Sequence, residues 1–169
     1  KVSELTITDS LTQVYNRRYF LERFNEELRR SKNNKLQLSF LMVDIDNFKQ
    51  YNDRYGHLVG DAILREISKT ILQTVRQIDF IGRYGGEELS ILLAETDSAQ
   101  AKFAAERIRH GIATAIIKVY DEELKVTVSI GVSSFPDNAE NLHDLIEMAD
   151  QALYLAKETG KNRVCFCPA

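Results

Sequence analysis

The sequence predicts an α/β fold: an α+β sandwich with a central, mostly antiparallel sheet flanked by helices. Three observations lead there. Four stretches repeat apolar residues at helical spacing, short apolar or alternating runs lie between them, and Gly85-Gly86 joins two such runs as a hairpin would. Interleaved helices and strands with one hairpin give a layered sandwich. The 169 residues suffice for one core and are short for two, and with 44% apolar residues the composition is that of an ordinary globular domain.

The elements follow in order. Asn16 can cap a helix from about Arg17 to Arg30, with Phe20, Phe24 and Leu28 on one face. Leu36 to Val43 is nearly unbroken apolar sequence, as in a strand buried on both faces, and it ends in Asp44-Ile45-Asp46. A second helix is expected from about Gly60 to Arg76, with Ile63, Ile67, Ile71 and Val75 as its stripe. Phe80 to Tyr84 and Glu88 to Ala94 read as the two hairpin strands, followed by a helix from about Ser98 to Ala113. Val126, Val128, Ile130 and Val132 alternate with small or polar residues, which is strand periodicity. A last helix carries Leu142, Leu145, Ile146, Ala149 and Leu153 and stops near Gly160, and Arg163 to Phe166 is expected at a sheet edge.

A formal net charge of −3 argues against a duplex nucleic-acid binder with a basic surface, but leaves room for a nucleotide site. No apolar run approaches the ~18 residues that read as a membrane span. Residues 1–8 read as the end of a linker from an upstream domain, and 9–169 as one domain. The two cysteines, Cys165 and Cys167, form a C-x-C that suits neither zinc nor a disulfide framework. Both are expected as free thiols in a reducing cytoplasm.

Two acidic clusters sit at expected strand ends, Asp44-Ile45-Asp46 and Glu87-Glu88. Side chains alternate along a strand, so Asp44 and Asp46 can share a face while Ile45 enters the core. If the first strand lies beside the hairpin, these carboxylates meet, and crowded like charges call for a hard cation. Mg²⁺, which prefers a few carboxylates plus phosphate and water, fits nucleotide chemistry there. Each piece alone reads more simply as solvated acids beside a turn.

Gly85-Gly86-Glu87-Glu88-Leu89 resembles the signature of the GGDEF family, in its Gly-Gly-Glu-Glu version with Leu in the last place. Asp9-Ser10-Leu11-Thr12 with Asn16-Arg17-Arg18 is similar to the family's opening motif. Asp44 to Lys49, Asn52-Asp53 and Gly56-His57 through Gly60-Asp61 resemble its nucleotide segment. Ser129 to Val132 and Ala149-Asp150 through Lys157, Gly160 and Asn162 match its C-terminal third.

The resemblance implies a nucleotidyl-cyclase, palm-like fold and a diguanylate cyclase that condenses two GTP into cyclic di-GMP. It implies Mg²⁺, with Mn²⁺ as the alternative, held by Asp44, Glu87, Glu88 and the carbonyl of Ile45, with Asp44, Glu87 and Glu88 catalytic. It implies substrate binding by Asn47, Phe48, Lys49, Gly85, Gly86, Lys157 and Lys161, and guanine reading by Asn52 and Asp61. Arg76-Gln77-Ile78-Asp79, with Arg107, resembles the R-x-x-D site at which family members bind their own product. It further implies a homodimer for catalysis, an upstream sensory or receiver domain, and a cytoplasmic place, alone or as part of a membrane-bound sensor. The alternative is an inactive module that acts as a GTP or cyclic di-GMP receptor. A relative that also accepts ATP, and a palm-type polymerase, fit less well. Leu89 for Phe, Gln13 for Gly and Lys161 for Arg depart from the family pattern. Leu89 is expected to face the core.

Overall fold

The computed structural model describes residues 6–166. Residues 1–5 of the expected linker and Cys167 lie outside the described residues. Twelve elements run in the order α1 (Arg17–Asn34), β1 (Leu38–Ile45), α2 (Phe48–Tyr55), α3 (His57–Thr74), β2 (Phe80–Arg83), β3 (Glu88–Ala94), α4 (Ser98–Thr114), β4 (Ile117–Val119), β5 (Glu122–Leu124), β6 (Val128–Phe135), α5 (Leu142–Glu158) and β7 (Val164–Phe166).

β1 lies at the centre of a five-stranded sheet of order β2-β3-β1-β6-β7. The pairs are antiparallel except β6–β7, which is parallel. Strand alternation sorts the core into two layers. Leu41, Val43 and Ile45 of β1 and Leu89, Ile91 and Leu93 of β3 pack with Ile63, Ile67 and Ile71 of α3 and Ile108 and Ile112 of α4. Leu38, Phe40 and Met42 pack on the opposite face with Phe20, Phe24 and Leu28 of α1 and Leu145, Ala149 and Leu153 of α5. Phe24 stacks on Phe40 with ring centroids 5.1 Å apart. Each such buried ring contributes about 1.5–3 kcal/mol relative to an exposed one.

The expected cap is present: the Asn16 side chain accepts a bond from the Tyr19 amide. The polar half of the alternation in β6 faces α5, not water, and the whole strand is buried. Small residues allow this. Ser133 Oγ donates to the Leu145 carbonyl at 2.6 Å, and a Cβ on Gly131 would stand 2.1 Å from the Ala149 carbonyl oxygen.

Four elements differ from expectation: α2, β4, β5 and α3. α2 is a helix where only polar turn residues are legible, because Phe48, Tyr51 and Tyr55 are only partly buried and no residue of it is fully buried. The β4–β5 hairpin is too short and too charged to show an apolar period. α3 starts at His57, not Gly60, and ends at Thr74, which leaves Arg76 in the following turn.

Candidate functional site

The register of the sheet builds the acidic centre. Asp44 of β1 stands directly opposite Glu88 of β3, so both carboxylates rise from the face covered by α1 and α5. Glu87 reaches the same point from the turn. Asp44 Oδ1 is buried without a donor. Burial, and then the neighbouring Glu87 and Glu88 charges, push the Asp44 pKa up to about 7 against the opposing pull of Lys157. A bond between Asp44 and Glu87 requires a proton on one of them, since two carboxylates have no donor. Glu88 is raised by burial and by the charges of Asp150 and Glu87, and Asp150 in turn by burial and by Glu147.

Asp44 and Asp46 share a partner but not an environment. The Lys157 ammonium lies 2.9 Å from Asp46 Oδ1, 3.5 Å from the Ile45 carbonyl and 3.7 Å from Asp44 Oδ2. Asp46 also accepts from Thr127 Oγ1 at 2.7 Å, Ser129 Oγ at 2.7 Å and the Asn162 amide at 2.9 Å. Burial alone would raise its pKa, but the bonds from Thr127, Ser129 and Lys157 hold it below the usual carboxylate range. Asp46 is thus an anchor joining β1, β6, α5 and the turn before β7. Its role is invisible in sequence because its partners lie more than eighty residues away. Lys157 is not a solvated helix end but part of this cluster.

Among the described residues no group of three or more His, Cys, Asp or Glu stands close enough to hold a metal ion by itself. The donors present still suit a divalent ion that keeps water and phosphate oxygens. Asp44 has an unpartnered buried oxygen, Glu87 lies beside it, and the Ile45 carbonyl borders the same space.

α2 begins at this centre. Asn47 adopts a left-handed conformation (φ 58°), and no side chain caps the helix start. Uncapped helix amides are donors suited to an anion. Lys161 Nζ holds Asn47 Oδ1 at 2.8 Å, whereas Lys49 pairs with Asp53 at 3.1 Å on the exposed face. The side chain of Asn52 of α2 lies against Gly60 of α3, where a Cβ would come within 1.8 Å of Asn52 Oδ1. That close approach brings Asn52 against the residue that precedes Asp61. Neither Gly85 nor Gly86 has positive φ, so this turn is not the left-handed hairpin that adjacent glycines suggest. What they contribute is bareness: around Gly86 nothing comes within 4 Å of a Cβ position.

Arg76, Asp79 and Arg107 converge elsewhere, on a cleft of about 240 Å³ that Thr96 and Phe103 also line. Arg76 grips Asp79 through Nε (3.1 Å) and Nη2 (2.9 Å), and Nη2 also reaches the Ala94 carbonyl (2.6 Å) and Thr96 Oγ1 (2.7 Å). Asp79 is buried and accepts from the Arg76 and Ala94 amides as well. Arg107 makes no hydrogen bond or ion pair among the described residues.

A family model described as diguanylate cyclase, GGDEF domain, matches residues 6–163. The chain belongs to the GGDEF family. This GGDEF domain is 42% identical over 164 residues to diguanylate cyclase A of Treponema denticola, covering 95% of the chain and 44% of that protein. It spans less than half the length of the first curated relatives it matches. In structure it resembles the GGDEF domain of PA1120 (TpbB or YfiN) from Pseudomonas aeruginosa, with TM-score 0.92, 34% identity and coverage of 95% and 94% of the two chains. It also resembles the GGDEF domain of DgcB from Caulobacter crescentus, determined in complex with c-di-GMP, with TM-score 0.89, 30% identity and coverage of 96% and 94%. The fold is therefore the palm-like cyclase fold expected of the family.

The departures of this GGDEF domain from the family pattern have local explanations. Leu89 is fully buried in the core beside β1, as a core-facing strand residue should be. Gln13 holds φ 67° and Lys161 φ 63°. A glycine would adopt the first without strain, whereas Gln13 is held there by bonds from its amide to the Asp9 carbonyl and from its side chain to the Ser10 carbonyl. Sequence reasoning also missed Arg83, which donates to the Gly86 carbonyl at 2.8 Å and lies 3.3 Å from Asp9. No helix of the described residues is long and apolar enough to cross a membrane.

Proposed function

We propose that this domain is a diguanylate cyclase: the 3′-hydroxyl of one GTP attacks the α-phosphorus of another, pyrophosphate leaves, and the reverse attack closes the ring. The supporting observation is the pairing of Asp44 opposite Glu88 with Glu87 alongside, which concentrates acidic groups at one point at the end of β1. A divalent ion, Mg²⁺ or Mn²⁺, held by Asp44, Glu87 and the Ile45 carbonyl would lower the pKa of the attacking hydroxyl and offset phosphate charge. Glu88 sits close enough to Asp44 to support that charge and to accept the hydroxyl proton, and its raised pKa suits a base. Lys157 and Lys161 bring positive charge to the phosphates, and the amides around Asn47 and Phe48 receive the outer ones. Lys49, turned to Asp53, must swing to join them. Asn52 and Asp61 read guanine: a carboxylate accepts from the N1 and N2 hydrogens, which adenine does not present.

One domain holds one GTP, so two copies related by two-fold symmetry complete the reaction. Residues before Asp9 act as the linker from a controlling upstream domain, and the domain works in the cytoplasm. Product returns to the Arg76, Asp79 and Arg107 cleft and inhibits by holding domains apart. The DgcB GGDEF domain, determined in complex with c-di-GMP, supports reading this cleft as a product site.

The deciding experiment is product analysis after incubation of a covalently or coiled-coil forced dimer with GTP and Mg²⁺. Cyclic di-GMP and pyrophosphate are expected. GTP that binds and stays intact would replace the cyclase with a nucleotide receptor.

A further inference from the structure

The opening motif, Asp9-Ser10-Leu11-Thr12, makes no direct hydrogen bond to the acidic centre or the nucleotide residues among the described residues. Its carboxylate is nonetheless tightly fixed. Asp9 Oδ2 accepts from the Thr12 amide at 2.9 Å and from Thr12 Oγ1 at 2.8 Å, and both Asp9 oxygens lie 3.3 Å from Arg83 Nη1. These partners hold the Asp9 pKa below its ordinary value although burial opposes them. The backbone makes the same junction: the Tyr15 amide donates to the Ile81 carbonyl and the Arg83 amide to the Tyr15 carbonyl, at 3.0 and 2.8 Å. The N-terminal turn is thus sewn along β2, the strand leading into the signature.

The other arm of Arg83 matters more. Nη2 donates 2.8 Å to the carbonyl of Gly86. That carbonyl belongs to the planar peptide unit whose other end is the nitrogen of Glu87. Fixing its oxygen fixes the plane from which the Glu87 side chain departs. Gly86 has little else to restrain it. It is exposed, no atom lies within 4 Å of its Cβ position, and glycine has the widest choice of dihedral angles. Arg83 is itself aimed by Asp9, since a rigid guanidinium fork with one nitrogen held by a carboxylate has little freedom for the other.

We infer that Arg83 is a positioning residue for Glu87, and that through Asp9 it makes the placement of Glu87 depend on the N-terminal turn. The inference rests on the cyclase reading for its kinetic consequence, but not for its structural one. A shift of the turn along β2 would rotate the Gly86–Glu87 peptide and misplace Glu87 while leaving the guanine-reading residues on α2 and α3 untouched. The turn is therefore a mechanical input to the acidic centre.

The test compares Asp9→Asn, Arg83→Gln, Arg83→Lys and the Asp9→Asn/Arg83→Gln double variant in the forced dimer. Steady-state kinetics are measured with GTP, and amide hydrogen exchange is measured without nucleotide. Loss of a charge-assisted bond predicts a fall in kcat of about tenfold for Asp9→Asn and at least that for Arg83→Gln, with KM for GTP changed less than about threefold. The double variant should fall no further than Arg83→Gln alone, because the two residues act in series. Arg83→Lys keeps the ion pair but lacks a second arm, so it should fold normally and still lose kcat. Exchange at the amides of Gly86 to Glu88 should quicken in every variant while those of β1 do not. Additive losses, a KM increase equal to the loss in kcat, or wild-type exchange at 86–88 in Arg83→Gln would overturn the inference. If the wild type makes no cyclic di-GMP, the cyclase reading fails, and the exchange result alone decides the linkage.

Discussion

The two oxygens of Asp44 have opposite fates. Oδ2 lies 3.7 Å from the Lys157 ammonium, and Oδ1 is buried with no donor. An ionised Asp44 is therefore costly, and linkage fixes the sign. A carboxyl whose pKa rises from 3.8 to about 7 on folding binds its proton more tightly in the folded state. The cost is absent below pH 3.8, grows between the two values and is complete above 7. Asp44→Asn, studied by thermal unfolding in EDTA, should stabilise the domain by about 1–3 kcal/mol at pH ~8, and by nothing measurable near pH ~4. An equal gain at both pH values would mean that the charge is not what burdens the site. Glu88→Gln should abolish cyclisation and leave the melting temperature within about 2 °C of wild type, since an amide of equal size cannot support the metal or take a proton. Wild-type turnover of GTP would place the chemistry elsewhere. Asp61→Ser should narrow the preference for GTP over ATP by about tenfold or more, read by competition between the two nucleotides. Unchanged selectivity would free Asp61 from base reading.

At the scale of elements, what was legible in the sequence was what repeats. α1, α3, α4, α5 and the hairpin strands announce themselves by period and by caps such as Asn16 and Gly160. α2 does not, because it is short and half-wet, and its helical state is imposed by packing of Phe48, Tyr51 and Tyr55 on the core. The acidic centre was legible in residue type, and the Asp44–Glu88 register confirms that its strands are neighbours. Asp46 and Arg83 were not, because their meaning lies in partners far along the chain. The Arg76 turn behaves in the same way. Its guanidinium already serves Asp79, Ala94 and Thr96, so Arg76→Ala would loosen the end of β3 as well as the cleft. Arg107→Ala is the cleaner probe. It should weaken cyclic di-GMP binding about tenfold or more in titration calorimetry without lowering the melting temperature. Equal affinity in the two proteins would remove Arg107 from the product site.

The described residues present one acidic centre, and the proposed reaction requires two GTP molecules to meet. If each copy brings one, turnover per domain should rise with protein concentration at low occupancy of the dimer and become independent of it once a fused coiled coil forces pairing. A specific activity that is constant on dilution of the unfused domain, with no dimer seen by light scattering, would require a single copy to hold both substrates. The proposed product cleft is built on the turn after α3 and on α4, and the acidic centre lies at the end of β1. On that proposal, inhibition from one to the other is a matter of how copies approach.

Gly131 carries a consequence for how far this domain can drift in evolution. The backbone of α5 rests on the bare backbone of β6 with no room for a methyl group between them. The height of α5 above the sheet is thus a machining tolerance, set by the absence of an atom. One added carbon would act as a shim and lift the helix, and Lys157, further along the same helix, would lose its 2.9 Å hold on Asp46. A change that leaves every charged residue in its place could in this way disarm the site.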